Sequence, residues 1–213
     1  MTATSAAAPG RDCPLCPRLA GFRDELRQDE PDWHNAPVPA FGDPDARLLI
    51  VGLAPGMKGA NRTGRPFTGD FAGDLLYATL IKFGFAKGAY LARHDDGLVL
   101  TRARITNAVK CLPPQNKPIG AEFNGCRPFL KAVIEELDNL TALLALGRIA
   151  HDSVVRTLGG RLKDHTFAHG ARHRLTTGLT LFDSYHCSRY NTNTGRLTPA
   201  MFEQVFAAIR ETL

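Results

Sequence analysis

The chain reads as an α/β protein, a three-layer α/β/α arrangement around a central, mainly parallel four-stranded sheet. Two observations carry that reading. Four short apolar runs, at residues 47–54, 103–109, 142–146 and 179–185, each lead through a loop into a stretch of helical character. Such alternation predicts a parallel sheet covered by helices on both faces, whose strands read as near-continuous apolar runs. The second observation is size: 213 residues, 44% hydrophobic and 22% charged, supply one sizeable core.

Residues 1–12 (MTATSAAAPGRD) are rich in Ala, Ser, Thr and Pro and are expected to be disordered until Cys13 anchors the chain, leaving 13–213 as a single domain. That start has neither a basic n-region nor an apolar h-region, and no later stretch approaches the roughly 20 apolar residues that span a bilayer, so a soluble cytoplasmic protein is expected. The run 47–54 (RLLIVGLA) is a strand ending in Gly and Pro, and 71–83 carries apolar residues at helical spacing. The strand 103–109 (ARITNAV) is broken by Pro113 and Pro114 and precedes a helix at 121–137 that contains Cys126. The strand 142–146 (ALLAL) passes through Gly147 into a helix at 148–158. The strand 179–185 precedes a closing helix at 199–213, with Pro199 suited to its first turn.

A net charge of +5 is moderately basic and favours an anionic partner such as nucleic acid, although many enzymes of small anions share it. Lys58, Arg62 and Arg65 crowd one loop, and Arg189 and Arg196 another. The plainer reading makes them solvated loop residues.

In parallel sheets ligands sit at the carboxyl ends of the strands, so the loops there are the places to look for chemistry. The loop GLAPGMKGANRTGRPFTGD (52–70) is glycine-rich, but its spacing does not match a nucleotide-binding G-x4-G-K-[ST] loop. Gly52 and Gly56 still let backbone approach a ligand closely. Asp70, at the end of this loop, suits a helix N-cap and equally a residue that orients water or accepts a proton. Phe67 is either core or a stacking surface. Asn107 lies inside an apolar strand, where a buried amide must be satisfied; it can brace a loop, or accept from a ring N–H and donate to the adjacent carbonyl, as on uracil. His186 follows the last strand beside Ser188, Asn191 and Thr192, a neighbourhood that suits a donor aimed at developing negative charge.

Cys13-x2-Cys16 and Cys111-x14-Cys126 read as a metal site, because a reduced intracellular chain keeps thiols free for coordination. The wide second gap weakens zinc without excluding it, and thiolate-only ligation also fits an iron-sulfur cluster. Cys187 is left over as a buried or loop cysteine.

Taken together, GLAPGMKGANRTGRPFTGD at 52–70, ITNAVKCLPPQNKP at 105–118 and HCSRYNTNTGRLT at 186–198 closely resemble the uracil-DNA glycosylase superfamily, and most closely its family 5, the iron-sulfur type B enzymes. The resemblance runs from Cys13 to the last helix. It implies a structural [4Fe-4S] cluster on Cys13, Cys16, Cys111 and Cys126, and a monofunctional repair enzyme that hydrolyses the N-glycosidic bond of deoxyuridine in DNA. It places the flipped base against Phe67 and the Gly52, Ala54 and Gly56 backbone, its pairing edge on Asn107, its O2 near His186, and water near Asp70. Related families carry an acidic or polar side chain where this chain has Leu53 and Ala54, so Asp70 or nearby backbone must compensate. Duplex and single-stranded DNA are the expected partners of a monomer, gripped at phosphates by Arg62, Arg65, Ser188, Arg189 and Arg196, with Arg189 and Tyr190 as candidate wedges. The rival reading from another class is a non-catalytic, metal-stabilised nucleic-acid-binding module.

Overall fold

The computed structural model describes residues 8–213. Its centre is a mixed six-stranded sheet in the order β1 (Phe41–Gly42), β5 (Ala103–Asn107), β2 (Leu48–Gly52), β6 (Ala142–Leu146), β8 (Thr180–Ser184) and β7 (Arg172–Arg174). The inner four, β5, β2, β6 and β8, are mutually parallel and are the four strands the apolar runs predict. The antiparallel edges β1 and β7 enlarge the expected four-stranded sheet. At two and three residues they carry no apolar alternation, and pairing with β5 and β8 is what orders them.

Successive side chains along a strand point to opposite faces. Leu48, Ile50, Ile105, Leu144 and Phe182 meet Leu76 and Leu80 of α2 (Phe71–Lys82) and Phe202 and Phe206 of α6 (Pro199–Thr212). Leu49, Val51, Leu143 and Leu181 face the other layer, against Leu130 and Val133 of α3 (Gly120–Glu135) and Ala150 and Val154 of α4 (Arg148–Thr157). Pro199 occupies the first turn of α6, and the preceding Thr198 caps it by accepting the Met201 N–H at 3.2 Å.

Helix α1 (Pro17–Asp29) is the element that periodicity misses, because only Leu19, Arg23 and Leu26 are buried in it. Leu19 packs with Val109, Cys111 and Cys126 in a small third cluster. Arg18 ties α1 to α3 through Glu122, whose carboxylate accepts from Arg18 Nε at 2.8 Å and from the Ile119 N–H at 2.9 Å. Of the stretch expected to be disordered, residues 1–7 lie outside the described residues. At its end, the Cys13 N–H donates to Gly10 O at 3.0 Å and Asp12 pairs with Arg27 at 2.7 Å.

A small ribbon of β3 (Ala86–Lys87) and β4 (Val99–Leu100) completes the sheet structure, and α5 (Arg189–Asn193) is one short turn after β8. Among the described residues no helix is long and apolar enough to cross a membrane. Because the inner strands run the same way, the loops after β2, β5, β6 and β8 meet on one rim of the sheet.

Candidate active site

A cavity of about 760 Å³ opens on that rim and gathers Ala54, Gly56, Phe67, Asp70, Asn107, His186, Ser188 and Arg189. Gly52 ends β2 in register with Asn107, which ends β5. A Cβ at Gly52 would strike Asn107 Oδ1 and lie 2.7 Å from Phe67 Cζ, so glycine is what allows amide and ring to meet behind the cavity. Asn107 is 3% exposed, and its Oδ1 is buried with no hydrogen-bond partner. Leaving such an acceptor unpaired costs about 1–3 kcal/mol.

Phe67 holds a left-handed backbone at φ +53°, which an L-residue adopts at a cost of roughly 1–2 kcal/mol. Its carbonyl accepts from the Tyr90 hydroxyl at 3.1 Å, and that hydroxyl accepts the Gly69 N–H at 3.3 Å. Tyr77 donates to Pro66 O at 2.7 Å and stacks on Tyr90 at 4.5 Å. Two tyrosines therefore clamp the segment that presents Phe67 and leads into Asp70. Neither stands out in the sequence, since each acts through backbone remote from it.

Arg65 corrects one expectation. It does not reach DNA phosphates: it is 4% exposed, its two terminal nitrogens each lie 2.7 Å from Asp96, and its Nε donates to Thr68 at 2.6 Å. Its guanidinium also lies over the rings of Phe41, Tyr77 and Tyr90. All three nitrogens are engaged within the protein, and Arg65 braces the loop from inside. Arg62 remains exposed at the lip, where a Cβ on Gly69 would come 2.9 Å from its Nη2.

Asp70 caps α2, its Oδ1 accepting the Gly73 N–H at 3.3 Å. Gly56 and Gly59 close over the carboxylate; a Cβ on Gly59 would sit 2.9 Å from Asp70 Cγ. Burial pushes the carboxyl above its ordinary range, and backbone N–H groups of Gly73 and Ala72 only partly oppose this. The residue that caps α2 thus also lines the cavity.

His186 lies two residues past β8, half-buried, its ring 5.8 Å from that of Phe67. Burial lowers it to about 4, so the imidazole is neutral at physiological pH. A neutral ring still donates one N–H. The following turn is fixed by Asn191, which donates to His186 O at 2.8 Å, and by Ser188, which caps α5. Arg189 is exposed over Phe71 at 5.2 Å, Arg196 over Tyr185 at 4.6 Å, and Tyr190 is 72% exposed. Arg196 and Tyr190 stand on the surface outside the cavity lining. Met57, Lys58 and Asn116 line it without having been singled out as site residues; Asn116 stands in the turn after Pro113 and Pro114 at φ +56°, its N–H donating to Pro113 O at 3.0 Å.

The five cysteines are unbridged. Cys16, Cys111 and Cys126 pack in one cluster, and Arg23 donates to Cys13 O at 3.1 Å. Burial pushes the Cys111 thiol up to about 12, and the Lys110 N–H points at Cys126 Sγ at 3.5 Å. Cys187 is fully buried against the core, as a leftover thiol should be. A separate group, His151, His173 and Asp183, has ligand atoms within 4.8 Å of one another and could hold a metal ion.

A family model described as the uracil DNA glycosylase superfamily matches residues 39–210. The type-5 uracil-DNA glycosylase of Thermus thermophilus is 45% identical over 199 residues, covering 91% of this chain and 90% of the relative. The proteins of that name from Mycobacterium leprae and Pyrobaculum aerophilum are 42% and 37% identical, each over 91% of this chain and over 88% and 86% of their own lengths. A match along this much of the chain leaves one conclusion: it belongs to the uracil-DNA glycosylase superfamily, within the type-5 family.

Proposed function

We propose that this chain releases uracil from DNA by hydrolysing its N-glycosidic bond, leaving an abasic site. The observation that carries the reading is the buried, unpartnered Oδ1 of Asn107 beside the Phe67 ring, in the same cavity as His186. An unpaired acceptor there awaits a donor, and the N3–H of uracil is one. The amide nitrogen then donates to O4. Cytosine, with an acceptor at N3 and a donor at C4, presents the opposite pattern.

Extrusion from the duplex costs a few kcal/mol and least at a mismatch, so selection begins before chemistry. Phe67 stacks against the flipped ring. As the C1′–N1 bond breaks, the electron pair leaves with uracil, and the N–H of neutral His186 stabilises the charge at O2. Asp70 orients water toward C1′ and takes its proton, a task that its raised proton affinity favours. The exposed Arg62, Arg189 and Arg196, together with Ser188, hold phosphates of duplex or single-stranded DNA, and Tyr190 or Arg189 probes the gap. The enzyme acts as a monomer in the cytoplasm.

Cys13, Cys16, Cys111 and Cys126 would hold a [4Fe-4S] cluster, which supplies a crosslink between the N-terminus and the strand end carrying Asn107. The donor set is four thiols with a backbone N–H directed at Cys126. The purified protein should be brown, absorbing near about 400 nm.

The test is uracil release from a single-lesion oligonucleotide, read by alkali cleavage at the abasic site. Product from wild type supports the reading; no product from brown, folded protein rejects catalysis in favour of a binding module.

A further inference from the structure

On the α4 side of β8, three residues before His186, Asp183 places a carboxylate in an otherwise apolar layer. Its Oδ1 lies 2.7 Å from His151 Nδ1 of α4, and its Oδ2 lies 3.0 Å from His173 Nε2 of β7. A carboxylate buried in this way costs several kcal/mol unless it is paired or coordinates a metal. None of the three groups enters the glycosidic reaction.

We propose that His151, His173 and Asp183 form a binding site for a zinc-class divalent ion that staples edge strand β7 and helix α4 to β8. The donor set selects the ion: two imidazoles with one carboxylate suit zinc or its transition-metal neighbours, whereas calcium and magnesium favour oxygen throughout. The outer arrangement also fits. His151 Nε2 donates to the His165 carbonyl at 2.7 Å, the kind of bond that orients a metal-ligating histidine while leaving Nδ1 to the ion. The required movement is small, since ligands 2.7 and 3.0 Å apart would spread to roughly 3.3 Å on tetrahedral zinc. His173, with 13% of its side chain exposed, marks the route of entry, and the His165 ring, 5.7 Å from that of His173, or water completes the set. Without the ion His151 donates from both ring nitrogens, to His165 O and to Asp183, so binding the metal releases the Nδ1 proton and the ion takes its place between the same atoms.

The test uses the full chain as purified, with whatever its cysteines hold. Protein is equilibrated with micromolar zinc, freed of excess and assayed for bound zinc, and zinc K-edge fine structure reads the ligands. The expected result is one zinc per chain with only nitrogen and oxygen scatterers at about 2.0–2.1 Å, and a melting temperature several degrees higher with zinc. His173→Ala, at the accessible edge, should lose bound zinc and show no rise in melting temperature with zinc over its own zinc-free melt; His173→Gln is the second variant should Ala not fold. Three outcomes overturn the proposal: no bound zinc, sulfur scatterers near about 2.3 Å that place zinc on the cysteines, or zinc retained by both His173 variants.

Discussion

Asn107→Ala should separate activity from stability in opposite directions. In the free protein Asn107 Oδ1 is buried and unpartnered, a penalty of about 1–3 kcal/mol that the alanine variant escapes. The deleted atoms border the cavity, so no closed void is created and the cavity cost of a core truncation is largely avoided. A net gain of about 1 kcal/mol raises the melting temperature of a domain this size by roughly 2–4 °C. With substrate the balance reverses, because uracil N3–H and O4 lose both partners. At about 1–2 kcal/mol each, kcat/KM should fall by roughly 30-fold to 10³-fold. Calorimetry of the purified protein and single-turnover uracil release measure the two sides. Retained activity would refute the base-reading role, and a melting temperature lowered together with activity would show that the amide braces the fold instead.

Three further outcomes follow from the same geometry. His186→Gln should lower single-turnover rate by on the order of 10². It should also flatten the acid limb of stability: His186 sits at about 4 when folded against about 6.5 unfolded, so the unfolded chain takes up a proton first and stability falls as pH drops through that window. Thermal melts from pH 4 to 8 check this, and identical profiles for variant and wild type would contradict it. Asp70→Asn keeps an acceptor for the Gly73 N–H but cannot take a proton, so uracil release should slow by on the order of 10² while the melting temperature holds or rises. An unchanged rate would leave Asp70 as a cap alone. Arg62→Ala should weaken DNA binding and reduce its salt slope by about 1, whereas Arg65→Ala should leave the slope alone and destabilise by about 3–5 kcal/mol through the stranded Asp96. Binding isotherms at several salt concentrations, paired with melts, distinguish the two arginines.

Most of the sheet was legible because the inner strands advertise themselves: LLIVG and ALLAL are apolar on both faces and end in glycine or a loop. The edges β1 and β7 were not, since two or three residues hold no period and owe their conformation to a neighbour's backbone. The candidate site was legible where residue type conflicts with its surroundings, as with Asn107 in an apolar strand. It was illegible at Tyr90, whose hydroxyl serves the backbone of Phe67 and Gly69 from more than twenty positions away.

The sequence by itself determined the four inner strands and the helices α2, α3, α4 and α6 that follow them, the motifs on the loops, and the thiol set, because these depend on local pattern and residue chemistry. Tertiary structure decided what each charged group does. Arg62 and Arg65 share one loop and one charge, yet Arg62 meets solvent and Arg65 is enclosed with Asp96 and three aromatic rings. His186 is likewise an ordinary histidine until burial strips its proton and Phe67 stands beside it. Desolvation and pairing are made by residues distant in the chain, so the roles of these groups are fixed only when those residues arrive.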